Sequence, residues 1–300
     1  MRRNLIMGVI ISVIMLILLG ACDRTPDLGS EGNPVIWSFV PSGDPERVEG
    51  GAEAVAAMLQ DKTGIFVETN VAADYAGVIR DLSTDPPKVH ISSLATFAYI
   101  LAADRGVVEA ALVSVRFGSP TYNAQFIAHR DSGIRRITDL RGKSFARPDL
   151  LSTSGWVIPM LTMRAAGINP DKELREILDL GSHELVVKAV YTGDVDAGST
   201  YVDARSRLEE EYPDVMDKVL VFQVTSDIPN DGVQFSPAVP PDMREKIVRA
   251  LLEIMETAEG KEALSRAYQW EGLEEQDDSF YDPFRQVLQA SGLGIDALQK

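Results

Sequence analysis

The chain has 300 residues, of which 45% are hydrophobic and 25% are charged, a balance typical of a folded globular protein and not of a disordered one. Its single cysteine excludes a disulfide-stapled scaffold and cysteine-cluster metal sites. The formal net charge of −16 argues against a nucleic-acid-binding protein, because such proteins carry a basic field that attracts phosphate backbones.

The pattern of the N-terminal segment predicts that the protein is exported from the cytoplasm. Two arginines precede a nearly continuous apolar run over residues 5–19, and small residues follow it, which is the pattern of a secretory signal. We therefore expect residues 1–21 to be a signal peptide. The alternative is a retained transmembrane anchor, for which the apolar run is short.

The sequence Leu19-Gly20-Ala21-Cys22 resembles the lipobox of bacterial lipoproteins. That resemblance implies cleavage before Cys22 and attachment of a lipid to its sulfur, which would anchor the protein to the extracytoplasmic face of the membrane. Residues 22–33 then form the lipidated cysteine and a polar segment with glycine and proline, which favours a flexible tether.

The next part of the chain alternates short apolar runs with segments of helical spacing. Strands are predicted at Val35–Val40, Ile65–Thr69, Val89–Ser93 and Ala110–Phe117. Helices are predicted between them, at Val48–Leu59, from the capping residue Asp74 to Leu82, and at Leu94–Ala103. This β-α-β-α-β order indicates a mostly parallel sheet with helices on its faces.

A second unit of the same kind follows. Strands are predicted at Ala124–His129, Ser144–Ala146, Ile177–Asp179, Asp196–Gly198 and Val219–Val224. Helices are predicted at Trp156–Ala166, His183–Tyr191 and Tyr201–Glu211, and from Pro241 to the end of the chain. We therefore expect an α/β protein of two lobes, with residues 34–118 plus 226–300 in lobe 1 and residues 119–225 in lobe 2. Clefts between lobes are common ligand sites.

Four stretches of residues 35–290 resemble the phosphate, phosphite and phosphonate substrate-binding proteins of ABC transporters. They begin at Asp74-Tyr75, at Gly118-Ser119-Pro120, at Asp139-Leu140-Arg141-Gly142-Lys143 with the following Ser152-Thr153-Ser154-Gly155, and at Ser182-His183-Glu184 with the following Gly193-Asp194. The resemblance implies a type II periplasmic-binding-protein fold and a phosphorus oxyanion as ligand.

Several residues in these stretches can donate hydrogen bonds to an anionic ligand. Ser152, Thr153 and Ser154 stand before a predicted helix, where free backbone N–H groups and the positive helix end favour negative charge. Tyr75 and His183 add further hydrogen-bond donors. The alternatives are an ordinary helix cap at Ser152, a half-buried aromatic at Tyr75 and a structural histidine at His183.

Asp203 and Asp231 match acidic positions that the family places in the cleft. An ionised carboxylate only accepts hydrogen bonds, so these residues would favour a ligand that carries a P–OH or an ammonium group. The alternative is a pair of surface or turn carboxylates. The sequence departs from the family at Ser92-Ser93-Leu94-Ala95, where an aromatic pair is common; Tyr99 and Tyr122 are candidates to compensate.

The resulting hypothesis is a monomeric, lipid-anchored solute-binding protein that delivers a small oxyanion to an ABC permease without catalysis, cofactor or metal. Alternatives are a binder of a sulfonate or pyrimidine precursor, and a sensor component on the same fold. A hydrolase using a serine of 152–154 with His183 and Asp203 is a further alternative, although the chain has no Gly-x-Ser-x-Gly elbow.

Overall fold

The computed structural model describes residues 26–292 and has two α/β lobes joined by two crossovers. The predicted signal peptide over residues 1–21 and the predicted lipidation site Cys22 lie outside the described residues. No helix within residues 26–292 is long and apolar enough to cross a membrane.

Lobe 1 is built on a six-stranded sheet in the order β11-β4-β10-β3-β1-β2. Its strands are β1 (Val35–Phe39), β2 (Val67–Val71), β3 (Ile91–Ser93), β4 (Glu109–Val115), β10 (Gly232–Phe235) and β11 (Gly272–Glu275). Its helices are α1 (Pro45–Thr63), α2 (Tyr75–Leu82), α3 (Thr96–Ala103), α8 (Pro241–Ile254), α9 (Ala258–Tyr268) and α10 (Asp282–Ala290). Strand β1 pairs in parallel with β2 and β3, whereas β10 and β11 pair antiparallel with their neighbours.

Lobe 2 is built on a five-stranded sheet in the order β7-β6-β8-β5-β9. Its strands are β5 (Thr121–His129), β6 (Ser144–Arg147), β7 (Glu176–Asp179), β8 (Ala197–Tyr201) and β9 (Val219–Pro229). Its helices are α4 (Ile158–Ala165), α5 (Pro170–Glu173), α6 (His183–Thr192) and α7 (Val215–Lys218). Strands β6, β7 and β8 are parallel, and β5 is antiparallel to both β8 and β9.

Local signals in the sequence explain where several helices begin. The Asp44 carboxylate accepts from the Arg47 N–H before α1, and the Asp74 carboxylate accepts from the Gly77 N–H before α2. Ser182 caps α6 in the same way through the Leu185 N–H. Each cap supplies an acceptor to an N–H group that has no partner inside its helix, and two of these caps stand beside the cleft between the lobes.

The structure differs from the sequence-based expectation in three segments. The C-terminal part is not wholly helical, because residues 272–275 form the edge strand β11 beside β4. Between Tyr201 and Glu211 only a short 3₁₀ turn forms. Residues 26–33, expected in a flexible tether, form a turn on lobe 1, where the Gly29 carbonyl accepts from the Phe66 N–H and Leu28 packs on the core.

The two crossovers lie side by side at the base of the cleft. The first joins β4 to β5 through residues 116–120, and the second joins β9 to β10 through Asn230 and Asp231. The Asn230 side-chain amide donates to the Ser114 and Ser119 carbonyls, and its N–H donates to the Pro120 carbonyl. These bonds tie the crossovers to each other at the base of the cleft.

Candidate ligand-binding cleft

A polar cleft opens between the lobes above the two crossovers, with about 480 Å³ of empty space including its open mouth. The polar groups on its walls come from both lobes and are hydroxyl, phenol, imidazole and guanidinium groups and one carboxylate. These residues are Ser42, Arg47, Tyr75, Arg116, Tyr122, Ser152, Ser154, His183, Tyr201, Arg207, Asp231 and Tyr268. Their side chains are mainly hydrogen-bond donors, which suits an anion.

The segment from Ser152 to Val157 forms a helical start that faces the cleft. Ser152 is the cap: its hydroxyl accepts from the Gly155 N–H at 3.1 Å, and a π-helical turn over Thr153–Val157 leads into α4. The first N–H groups of such a helix have no intrahelical acceptor. The positive end of this helix therefore lies beside the hydroxyls of Ser152 and Ser154, which line the cleft.

His183 begins α6 and is buried at the cleft wall. Its Nδ1 accepts from the Tyr201 N–H at 3.3 Å, which leaves the proton of the neutral ring on Nε2, 3.4 Å from the Ser152 Oγ. Burial, with a smaller contribution from the Arg116 charge, lowers the pKa of His183 to about 3. His183 is therefore a neutral donor at physiological pH.

Four tyrosines line the cleft, and the hydroxyl of one of them, Tyr268, donates to the Val40 carbonyl. Tyr75 begins α2 in lobe 1, and burial raises its pKa well above the usual value, with the Ser152 hydroxyl in hydrogen-bonding reach. Burial likewise raises the pKa of Tyr122 to about 12, and the Ser154 hydroxyl is its neighbour. Tyr201 packs on His183 with ring centroids 4.7 Å apart. These three phenols stay protonated and available as donors.

Three arginines also line the cleft, and none of them was among the residues predicted from the sequence. Arg116 follows β4, Arg47 is on α1 of lobe 1, and Arg207 is on lobe 2. Arg47 forms an ion pair with Glu184 across the cleft, and Arg207 donates to the Ser265 carbonyl of lobe 1 at 3.0 Å. No motif marks isolated arginines, so only their convergence in space identifies them.

The structure brings together most, but not all, of the predicted ligand contacts. Tyr75, Ser152, Ser154, His183 and Asp231 all line the cleft. They come from both lobes and from chain segments far apart in sequence. Their convergence is what the hypothesis of a single crevice requires.

Two predicted contacts lie elsewhere. Thr153 is buried and does not line the cleft, and its Oγ1 accepts from the Phe97 N–H at 2.9 Å. Asp203 is absent from the cleft lining; it has a φ of 67° and stands before the 3₁₀ turn over Ala204–Leu208.

Asp231 lies in the cleft but is already occupied. Its Oδ1 accepts from Arg116 Nη2 at 2.9 Å and from the Ser114 hydroxyl at 3.1 Å, and its Oδ2 accepts from the same Nη2 at 3.0 Å. The prediction that Asp203 and Asp231 present free acceptors to the ligand is therefore corrected: one carboxylate is outside the cleft and the other is paired.

The stretch Ser92-Ser93-Leu94-Ala95, where the sequence departs from the family, contributes little to the cleft wall. The Ser92 hydroxyl donates to the Gln234 side chain, and the Ser93 hydroxyl accepts from the Trp37 indole, so both are used inside lobe 1. Only Ala95 lines the cleft. Of the two candidates to compensate, Tyr122 lines the cleft, whereas the Tyr99 hydroxyl donates to Asp278 on the other side of the lobe.

The geometry does not assemble a hydrolytic triad. The Nδ1 of His183 accepts from a backbone N–H and does not donate to a carboxylate, whereas a triad needs an acid that orients the histidine through this atom. His183 therefore lacks the acid partner by which a triad orients its histidine. Within residues 26–292, no group of three His, Cys, Asp or Glu side chains is placed to hold a metal ion.

Comparison with known proteins points to one family. The family model described as the periplasmic substrate-binding protein of phosphonate ABC transporters matches residues 37–281. A phosphonates-binding periplasmic protein of Escherichia coli (strain K12) is 27% identical over 235 residues, which are 76% of this chain and 68% of that protein. A phosphate-import protein of Mycolicibacterium smegmatis is 26% identical over 200 residues, and the match spans 62% of each chain.

Solved structures share the architecture. A binding protein component of an ABC phosphonate transporter from Pseudomonas aeruginosa superposes with a TM-score of 0.79 and 25% identity, over 86% of this chain and 87% of that one. A protein from Prochlorococcus marinus in complex with methylphosphonate gives a TM-score of 0.75 at 12% identity, over 85% and 97% of the two chains. These matches confirm the predicted two-lobed type II architecture.

Proposed function

The chain belongs to the family of phosphonate-binding periplasmic substrate-binding proteins of ABC transporters, and from this premise we propose that its cleft captures a small phosphorus oxyanion for an ABC importer. Phosphonate, phosphite and phosphate are the candidate ligands. The protein hands the ligand to the permease and performs no reaction on it.

The observation that carries this proposal is the positive charge of the groups that line the cleft, in a protein that is acidic as a whole. Three guanidinium groups but a single carboxylate, Asp231, line it, although the whole chain has a net charge of −16. Ser152 and Ser154, the neutral His183 and the phenol of Tyr75 surround the same space. A tetrahedral oxyanion can accept several hydrogen bonds at once, and bonds from charged donors are the strongest.

Contacts between the lobes support closure around the ligand as the working step. The His183 N–H donates to the Ser42 carbonyl at 3.1 Å, the Tyr75 N–H donates to the Asp149 carboxylate at 3.4 Å, and Arg47 pairs with Glu184. Closure of two lobes about a hinge is a common response of binding proteins to their ligands. One chain supplies the whole cleft, so the protein is expected to act as a monomer.

The family works outside the cytoplasm, and for this chain we extend that location to a lipid anchor at Cys22. Cys22→Ala should abolish incorporation of a radiolabelled fatty acid and leave the signal segment uncleaved. Persistent label in the variant would refute the anchor without affecting the assignment of the cleft.

Calorimetric titration with methylphosphonate, phosphite and phosphate tests the proposed ligand class. Ser154→Ala removes one hydroxyl from the cleft and should weaken binding about ten- to a hundredfold, because a hydrogen bond to a charged group contributes roughly 1.5–3 kcal/mol. Ser226→Ala changes an exposed serine of β9 and is the matched control. If none of the anions binds, or if the two variants behave alike, the cleft is not the oxyanion site.

A further inference from the structure

Two carboxylates close to the cleft, Asp231 and Glu184, each have a guanidinium partner. Arg116 Nη2 donates to both oxygens of Asp231, at 2.9 and 3.0 Å. Glu184 of lobe 2 is paired with Arg47 of lobe 1. A ligand that enters the cleft therefore meets no unpaired carboxylate from these residues.

Arg116 is held rigidly and close to the ligand space. Its side chain is only 10% exposed, and its guanidinium carbon lies 5.6 Å from the Tyr122 ring centroid and 6.0 Å from that of Tyr201. Its Nε is buried without a hydrogen-bond partner. A buried donor without an acceptor is uncommon in folded proteins, so this group calls for an acceptor that a ligand can bring.

Arg207 adds a second incompletely partnered cation. Its Nη2 donates to a carbonyl oxygen, its Nε is buried without a partner, and no carboxylate of the described residues forms an ion pair with it. Burial lowers the pKa of Arg207, although a guanidinium remains charged at physiological pH. The cleft thus keeps an excess of positive charge after its ion pairs are formed.

We propose that Arg116 is the specificity-determining residue of the cleft, and that it restricts the ligands to oxyanions without an amino group. By pairing with Asp231, Arg116 neutralises the carboxylate that would attract an ammonium group and places a like charge beside it. Like charges brought together at a desolvated site oppose binding strongly. This inference rests on the proposed function, since it concerns which phosphorus oxyanions the same cleft accepts.

Pairs of ligands that match in shape but differ in charge isolate the effect of the ammonium group on binding. Ethylphosphonate and aminomethylphosphonate differ in one position, where a methyl group replaces an ammonium group, and propylphosphonate and 2-aminoethylphosphonate differ in the same way. Titration calorimetry of the wild-type protein should give a Kd for each alkylphosphonate at least about a hundredfold below that of its amino counterpart.

Variants of Arg116 and Asp231 then test whether Arg116 causes the preference for alkylphosphonates over their amino counterparts. Arg116→Met removes the guanidinium, keeps a long side chain and frees the Asp231 carboxylate, so the alkyl-to-amino preference should fall at least about tenfold or invert. Arg116→Lys keeps the positive charge beside Asp231 and should retain the preference. Asp231→Asn leaves Arg116 without its counter-charge and should widen the preference, which tests the same idea if Arg116→Met fails to fold.

Two outcomes separate this inference from the proposed function. If the wild-type protein binds methylphosphonate, phosphite or phosphate but takes amino and alkyl phosphonates equally well, the role of Arg116 is refuted and the oxyanion cleft stands. If none of these anions binds, the proposed function fails and the inference fails with it. An unchanged preference in folded Arg116→Met also overturns the assignment to this residue.

Discussion

Replacing His183 by glutamine should reduce the sensitivity of the fold to acid. His183 is buried against Tyr201, and burial lowers its pKa from 6.5 to about 3. In the unfolded chain the same side chain takes up a proton near its ordinary pKa of about 6.5. Between these two values the unfolded state binds the additional proton, so the free energy of unfolding decreases as the pH falls.

The size of the effect follows from the two pKa values. Each pH unit below the unfolded pKa changes the free energy of unfolding by up to about 1.4 kcal/mol for one proton. Because the folded pKa of about 3 lies well below the range tested, the wild-type protein should lose roughly 2 kcal/mol through His183 between pH 7 and pH 5. His183→Gln keeps a side-chain N–H donor but does not titrate, so it should not show this loss.

Urea unfolding of the wild-type protein and of His183→Gln at pH 7 and pH 5, without ligand, measures the difference. His90 also has a pKa lowered by burial, but it is present in both proteins and its contribution cancels. Equal pH dependence in the two proteins would show that His183 is solvated or already charged in the folded state, and would remove it from the set of neutral donors in the cleft.

Two further substitutions test closure and the anion-binding turn. Arg47→Met removes the ion pair with Glu184 between the lobes and should weaken anion binding, measured by calorimetry, about tenfold. Arg249→Met breaks only an exposed pair on α8 and should have no effect. Equal affinities in the two variants would refute a role of the Arg47–Glu184 pair in closure. Gly155→Ala places a Cβ 2.6 Å from Pro148 Cγ and 2.7 Å from Ser152 Oγ, so it should displace the turn and abolish binding. In Gly50→Ala the added Cβ meets nothing closer than 3.5 Å, and this variant should bind normally. Wild-type affinity in Gly155→Ala would contradict anion binding at the turn from Ser152 to Val157.

Much of the fold could be predicted from local signals. Capping residues such as Asp74 and Ser182, apolar runs and turn glycines mark the elements of both lobes, because each acts within a few residues of its own position. Strand β11 escaped prediction because Gly272-Leu273-Glu274-Glu275 has little apolar character of its own. It becomes a strand only where β4 offers an unpaired edge.

Some features of the candidate site likewise follow from the local sequence, and others depend on the tertiary packing. The sequence by itself determined the helix start at Ser152, the placement of His183 at the first turn of α6 and the phenol of Tyr75, since a helix start and its hydroxyls belong to one short segment. Which of those groups face one another depends on how the two lobes pack. That packing turned the Thr153 hydroxyl toward Phe97 and left Asp203 away from the cleft.

The charge balance of the cleft was decided by the tertiary structure alone. Arg116 and Asp231 are separated by 115 positions in the chain, and they meet because the two crossovers run side by side at the base of the cleft. An ionic interaction depends on distance in space and on burial, and neither can be read from a single sequence. The sequence therefore predicted a helix start with hydroxyl groups at Ser152, Thr153 and Ser154, whereas only the folded structure decided that Asp231 is already paired with a guanidinium.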